Sequence, residues 1–297
     1  MTGGPHGSGA GRLVLVATPI GNLADLSPRA VEALAEADVI VCEDTRRTGR
    51  LLEHAGVVWR RLVVANEHSE AAAAAQVARL LTEGATVAVV TDAGTPGISD
   101  PGERLVQAAV AGGHLVTTVP GPTAGISALV VSGLPTGRFV MEGFLPRKGG
   151  ERTARLGELA GERRTVVLYE APHRLARTLA DLAAAFGRDR SIVVCRELTK
   201  LHEQIWRGTL SEALDHASEV APRGEYVLVV AGAPDADQPD DEAIRAALAD
   251  RSASGEDRRT AIVAVAQELR VPKRRVYTLA HADGGDGSPD ATTPTVG

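Results

Sequence analysis

A chain of 297 residues that is 44% hydrophobic has material for two cored domains, and its net charge of −6 argues against indiscriminate nucleic-acid binding. No apolar run approaches the roughly 18 residues of a membrane span, and the first ten residues, MTGGPHGSGA, lack the charged start and apolar middle of a secretion signal, so a soluble, cytoplasmic protein is expected. Cys42 and Cys195 lie far apart in apolar, strand-like runs, which suits buried thiols better than a disulfide, and no His/Cys cluster has metal-ligand spacing, so no metal is expected.

In chain order, apolar runs at 13–17, 39–42, 62–65, 86–90 and 115–119 read as strands. Helices are expected between them: 29–37 opened by Ser27-Pro28, a helix around 46–52 after Glu43-Asp44, and the Ala-rich 70–83 opened by Ser69 and closed by Gly84. That alternation predicts a mostly parallel sheet. A second series follows at 139–143, 166–169, 192–195, 205–208 and 226–230, with 172–186 as its clearest helix and SGLPTG, 132–137, as the expected hinge. After the acidic linker APDADQPDD, 233–241, apolar residues at 261, 262, 265, 266 and 269 mark one helix face; Val271-Pro272 breaks the chain and 273–280 resumes it. The fold expected is α/β, with two α/β domains at 12–132 and 138–232, a small helical module at 242–281 whose apolar face is poor as an independent core, and disordered tails at 1–11 and 282–297.

The loops carry the functional signal. In VVTDAGTPGISDPGERL, 89–105, a buried strand runs into Asp, Gly, Thr, Pro and Ser before a helix at 101–111, with Asp100 as the expected N-cap and Pro101 at its first position. The run 13–17 enters TPIGNLADLSP, and 115–119 enters PGPTAGISAL, where Thr123 is placed to cap a helix over 124–132. One such loop can be a bare turn. Three at the carboxyl end of one parallel sheet point to a small molecule held between the domains. Neither GxGxxG nor GxxxxGK[ST] occurs and no Lys or Arg lies within these loops, which disfavours a phosphate and suits a ligand held by carbonyls and small side chains.

In that order, TPIGNLADLSPRA, EDTRRT, TDAGTPGISDPG, PGPTAGISAL, YEAPHRL and RELTKLHEQIWRGTL resemble the bacterial ribosomal RNA small-subunit methyltransferase I family over about residues 12–281. These are 16S ribosomal RNA cytidine 2′-O-methyltransferases of the tetrapyrrole-methylase, or class III, fold of S-adenosylmethionine enzymes. The resemblance implies a cofactor cleft made by Pro19 and Gly21, by Asp92, Ala93, Gly94 and Ile98, and by Thr123 and Ala124, closed from the second domain by Tyr169 and the strand near Arg196. Asp92 is equally suited to tie its own loop's amides. The implied substrate is a cytidine ribose in the decoding region of the small subunit, and the implied assembly is a homodimer.

Glu43, Asp44, Glu170, His173, Lys200 and Glu203 are expected on the substrate side, with no general base assigned. Each has a plainer role: Glu43 and Asp44 can cap the next helix or pair with Arg46 and Arg47, His173 can cap, and Lys200 would need strong desolvation to act as a base. Arg46, Arg47, Arg270, Lys273, Arg274 and Arg275 are the expected RNA contacts, the last four at the corner of the helical module. Seven basic residues against four acidic between 138 and 164 add a further basic stretch, but aromatics are only 3%, so base-stacking platforms must be few. A porphyrinoid carbon methylase of the same fold and a non-catalytic RNA-binding assembly factor are the competing readings.

Overall fold

The computed structural model describes residues 11–66, 69–219, 222–234, 239, 241–269 and 271–282. The expected tails, apart from Gly11 and Ala282, and Arg270 lie outside the described residues. Strands β1 (Arg12–Val16), β2 (Val39–Cys42), β3 (Leu62–Val64), β4 (Thr86–Val89) and β5 (Leu115–Val119) form an all-parallel sheet in the order β3-β2-β4-β1-β5. Its apolar runs are continuous because both faces are covered. Leu13, Val39, Val41, Val87 and Val89 pack toward helices α3 (Glu70–Thr82) and α4 (Glu103–Ala111). Val14, Val16, Ile40, Cys42 and Ala88 pack toward α1 (Pro28–Glu36) and α2 (Thr45–His54).

Three expected caps differ from those found. Helix α4 starts at Glu103, not 101, because its amide ends are claimed from another helix: the carboxylate of Glu70 on α3 accepts from the backbone N–H of Gly102 at 2.8 Å and of Arg104 at 3.2 Å. Asp100 instead accepts the Thr91 hydroxyl at 3.2 Å. Thr123 leaves α5 (Ala124–Ser132) without a side-chain cap, since its hydroxyl pairs with that of Thr95 at 2.7 Å. Ser69 is bonded to Asn66 rather than to the first turn of α3.

The second sheet is β6 (Phe139–Phe144), β7 (Thr165–Glu170), β8 (Ser191–Arg196), β9 (Gln204–Thr209) and β10 (Tyr226–Val230), ordered β6-β7-β10-β8-β9. Only β6 and β7 run parallel; the other three pairings are antiparallel. Helices α6 (Gly149–Ala160), α7 (Leu175–Phe186) and α8 (Leu210–Glu219) cover one face. The other face is covered from the first domain: Ala128 and Leu129 of α5, with Ile20, pack on Val167, Val193, Val227 and Val229. Both cysteines are free and buried, Cys42 under the first sheet and Cys195 in this inter-sheet layer, and burial pushes the Cys195 thiol up to about 11.

The segment 132–137 is tied down at both ends of its path, with Arg207 donating to the Ser132 carbonyl at 3.1 Å and Thr165 to that of Pro135 at 2.7 Å. Both sheets accordingly belong to one compact unit that ends at Ala233. A second unit, from Pro234, holds α9 (Asp241–Ala253), α10 (Arg258–Glu268) and α11 (Lys273–Ala282) around Ile244, Ile262, Val265, Val271, Val276 and Leu279. Asp257 caps α10 by accepting from the N–H groups of Arg259 and Thr260 at 3.0 and 3.1 Å. No helix among the described residues is long and apolar enough to cross a membrane.

Between α6 and α7 the guanidinium of Arg152, 3% exposed, reaches Asp181 at 2.7 Å, Thr178 at 2.9 Å and the Pro146 carbonyl at 2.9 Å. Asp181 is partly exposed and keeps Arg177 at 3.8 Å, so loss of the guanidinium removes its hydrogen bonds without stranding a buried charge. Arg152→Met is expected to lower stability by about 2 kcal/mol, read as a shift of the urea midpoint at unchanged slope.

Candidate functional site

The three Gly/Pro loops meet because their backbones bond to each other. Thr18 and Gly94 exchange N–H···O bonds of 2.9 and 3.1 Å across the first and second loops. Gly94 adopts φ +88°, a conformation that favours glycine. The Thr95 hydroxyl then joins the second loop to the third, at 3.1 Å from the Pro122 carbonyl and 2.7 Å from the Thr123 hydroxyl. From the second sheet, the Tyr169 hydroxyl accepts from the Gly125 N–H at 3.1 Å. A Cβ at Gly125 would stand 2.8 Å from the Met141 sulfur and 3.2 Å from the Tyr169 hydroxyl, so a larger residue there would displace the methionine tip and crowd this hydrogen bond.

These walls enclose a cleft of about 270 Å³. Ile20, Ile98, Phe144 and Val227 supply apolar surface. Every ionisable side chain in the lining other than the tyrosines is a carboxylate: Asp100, Glu170 and Glu225, with no Lys, Arg or His. Burial pushes the Asp100 carboxyl up to about 6, opposed by the Thr91 hydroxyl and reinforced by Asp92 and Glu225. Burial likewise raises the Tyr169 hydroxyl. Glu170 is 2% exposed and fully engaged, with the Thr178 hydroxyl, the Ala171 N–H at 2.9 Å and the Arg174 guanidinium at 3.2 Å all on its carboxylate. The interior of this cleft suits a cation and repels a phosphate.

Residues 12–214 match the family profile described as Tetrapyrrole (Corrin/Porphyrin) Methylases. A Synechocystis protein named ribosomal RNA small subunit methyltransferase I is 47% identical over 279 residues, covering 93% of this chain and all of that one. A Mycobacterium tuberculosis protein of the same name is 50% identical over 226 residues, 75% of this chain and 79% of its own. The chain belongs to this methyltransferase family. Its fold is shared with the methyltransferase CobJ (TM-score 0.58, 24% identity, 76% of this chain and 95% of that one). It is shared too with a Thermus thermophilus uroporphyrin-III C-methyl transferase complexed with S-adenyl homocysteine (TM-score 0.53, 21% identity, 75% and 97%).

The residues that the family resemblance singles out fall in distinct places. Ala93, Gly94, Ile98, Thr123, Ala124 and Tyr169 line the cleft, as does Glu170. Pro19 and Asp92 line a neighbouring hollow of about 220 Å³ with Arg47 and Arg50. There the Asp92 carboxylate is 3.4 Å from Arg47, its Oδ1 is buried without a hydrogen-bond partner, and burial raises its pKa. Gly21 is pressed against residues 198–200, where a Cβ would stand 2.4 Å from Lys200 Cγ. Arg196 is outside the cleft; its Nε donates to the Arg223 carbonyl at 2.8 Å and its side chain borders a small hollow near Trp206.

Of the residues expected on the substrate side, Asp44 caps α2 through the Arg46 N–H at 2.8 Å and holds the Arg46 guanidinium, which keeps its carboxyl below the usual range. Glu43 stands apart, raised by burial and by Asp92 and Asp100. His173 is exposed on the short 3-10 turn before α7. Lys200 lies 2.9 Å from both Glu197 and Glu225; burial acts to lower its pKa, but the two carboxylates outweigh that and hold it charged, which removes it as a base. Glu203 accepts the Thr199 N–H at 2.6 Å and so fixes the same loop. In the second unit Arg275 is paired with Asp241 at 2.7 Å, while Lys273 and Arg274 are exposed.

Asp100, Glu225 and Phe144 were not among the residues expected in the site. Asp100 has the local pattern of a cap, and its burial depends on Glu70 having taken that role from another helix. Because its folded pKa exceeds its unfolded one, Asp100 favours the native state only while protonated, and the native state loses stability as pH rises from about 4 to 6. Asp100→Asn, which keeps a partner for Thr91, is expected to be more stable than wild type by about 1–2 kcal/mol at pH 8, with the difference gone near pH 4 in thermal melts.

Proposed function

We propose that this chain transfers a methyl group from S-adenosylmethionine to the 2′-hydroxyl of a cytidine ribose in 16S ribosomal RNA, in the decoding region of the small subunit. The observation that carries the reading is the charge of the cleft: three carboxylates, no basic side chain, apolar walls and glycine-lined backbone, in a chain of this family. That set fits a sulfonium cation with an adenosine body. When bound, the cofactor supplies a methyl group already activated by positive charge.

The chain's own contribution is placement. The Thr18–Gly94 bridge and the Thr95–Thr123 contact fix the loops against which the donor rests, and the Tyr169–Gly125 bond fixes the opposite wall. Holding the acceptor oxygen in line with the donor converts an encounter between two molecules into an internal step. Glu170 is tied on both oxygens and so is held in one position in the wall. Outside the cleft, Arg46, whose side chain is 86% exposed, and Arg47 follow β2 and offer phosphate contacts.

Labelled S-adenosylmethionine incubated with small subunits lacking the modification is expected to transfer its label to one ribose of 16S RNA, mapped by nuclease digestion; label on carbon of a porphyrinoid and none on RNA would assign the chain to the other chemistry of its fold. The carboxylates make a second, binding-level expectation. A cation favours ionised Asp100, so cofactor affinity should rise with pH up to about 6 and then level. The difference between pH 5 and pH 8 should be up to roughly tenfold. Calorimetry should find this step reduced for the uncharged S-adenosylhomocysteine and absent in Asp100→Asn.

A further inference from the structure

Strand β6 ends on a feature that the cleft's donor chemistry does not use. Pairing with β7 is regular from Phe139 opposite Thr165 to Met141 opposite Val167; then Gly143, not Glu142, stands opposite Leu168. The extra residue is a bulge, with Gly143 at φ +74°. Side chains alternate along a strand, so in regular register Glu142 would oppose Leu168 and Phe144 would fall on the face covered by α6. With the bulge, Glu142 keeps that face, salt-bridged to Arg155 of α6, and Phe144 turns to the cleft face opposite Tyr169. The two rings are 5.6 Å apart and tilted by 47°.

Phe144 lines the cleft yet is 53% exposed. Among the described residues of the first unit it is the one exposed aromatic side chain; Tyr277, in the second unit, is stacked on His281. The backbone just beyond it is held by two guanidiniums, with Arg174 donating to the Leu145 carbonyl at 2.7 Å and Arg152 to that of Pro146 at 2.9 Å. Arg147 and Lys148 follow, exposed and with no acidic partner among the described residues. An apolar ring therefore stands at the rim of an anionic cleft, on a braced strand end, beside two unneutralised cations.

The geometry points to Phe144 as the platform on which the base of the acceptor nucleotide stacks, with Arg147 and Lys148 taking the phosphates beside it. The assignment rests on the RNA-methylating function proposed above. A ligand that meets both this ring and these cations needs a flat π face and phosphate charge. The donor brings a positive sulfonium and no phosphate, and belongs to the carboxylate-lined interior. A nucleotide has both features, and stacking accepts any base while the backbone is held by charge. The bulge thus aims the acceptor's base at the mouth so that its ribose faces the donor.

The test compares wild type with Phe144→Leu, Phe144→Trp and the double variant Arg147→Ala/Lys148→Ala, in cofactor calorimetry and in methyl transfer to small subunits. Phe144→Leu, which keeps an apolar wall, should lose roughly five- to a hundredfold in kcat/KM for the RNA substrate and markedly less in S-adenosylmethionine affinity, with Phe144→Trp restored to near wild type. The double variant should reduce the slope of log affinity for RNA against log salt by roughly one to two, and Phe144→Leu should leave that slope unchanged. Cofactor affinity that falls in Phe144→Leu as far as transfer does, or transfer that is unaffected, overturns the stacking assignment while leaving an active wild type as support for the function. A wild type that methylates no RNA overturns the function and this assignment with it.

Discussion

The packing of α5 on the second sheet is the contact on which the rest of the molecule depends. This helix follows the last strand of the first sheet, yet its apolar residues Ala128 and Leu129 are buried among the valines of β7, β8 and β10. Removing such surface from water contributes about 25 cal/mol per Å², and here it joins two sheets rather than filling one. The glycine at the helix start lets Tyr169 approach within hydrogen-bonding distance. The cleft is the space left where the loops of one sheet stop short of the strands of the other. Its dimensions are therefore set by a core contact and not by the loops alone.

The separation of charge between cleft and rim follows from this arrangement. Carboxylates that would repel one another in the interior are managed individually: Glu170 is neutralised by Arg174 and bonded on both oxygens, Glu225 is paired with Lys200, and Asp100 holds its proton more tightly than a free carboxyl. Guanidiniums that stand near the cleft face away from it or brace backbone carbonyls, as Arg152 and Arg174 do. The chain as a whole is acidic, so under the proposed function contact with a polyanion would be local, and exposed basic side chains at the ends of β2 and β6 offer places for it.

All ten strands among the described residues were legible, because short apolar runs bounded by glycine and proline have little else to become. The parallel first sheet was legible for the same reason, and so was the convergence of its three loops. The antiparallel pairings of β10 were not, since they depend on this strand inserting between β7 and β8 after a long excursion. Helices α6 and α8 were not singled out, although each buries one apolar face and Thr209 and Glu212 form a capping box at the start of α8, while α9 was covered only by the helical module expected at 242–281. Within the site, loop glycines and Tyr169 could be carried over from motifs, whereas Phe144 could not: its orientation turns on a single bulged residue, and period-two reading places it on the wrong face. Arg196, read from a motif into the cleft, borders it only along the sequence, because its side chain is drawn to the Arg223 carbonyl.

The position of β10 bears on how the protein is made. It is the central strand of its sheet and the last to leave the ribosome, with residues 226–230 lying some way beyond the strands they join. Until they emerge, β7 and β8 each present an open edge rich in valine, and α5 has only part of the surface it buries against. Contacts of such long sequence separation form late and slowly, and unpaired edges of this kind invite association between chains. A nascent chain that has completed its first sheet still lacks its second, so folding intermediates should carry the three Gly/Pro loops without the wall opposite them. The same topology makes the candidate cleft the last part of the first unit to be completed, so the interval between synthesis of β8 and of β10 is when its valine-rich edges stand open.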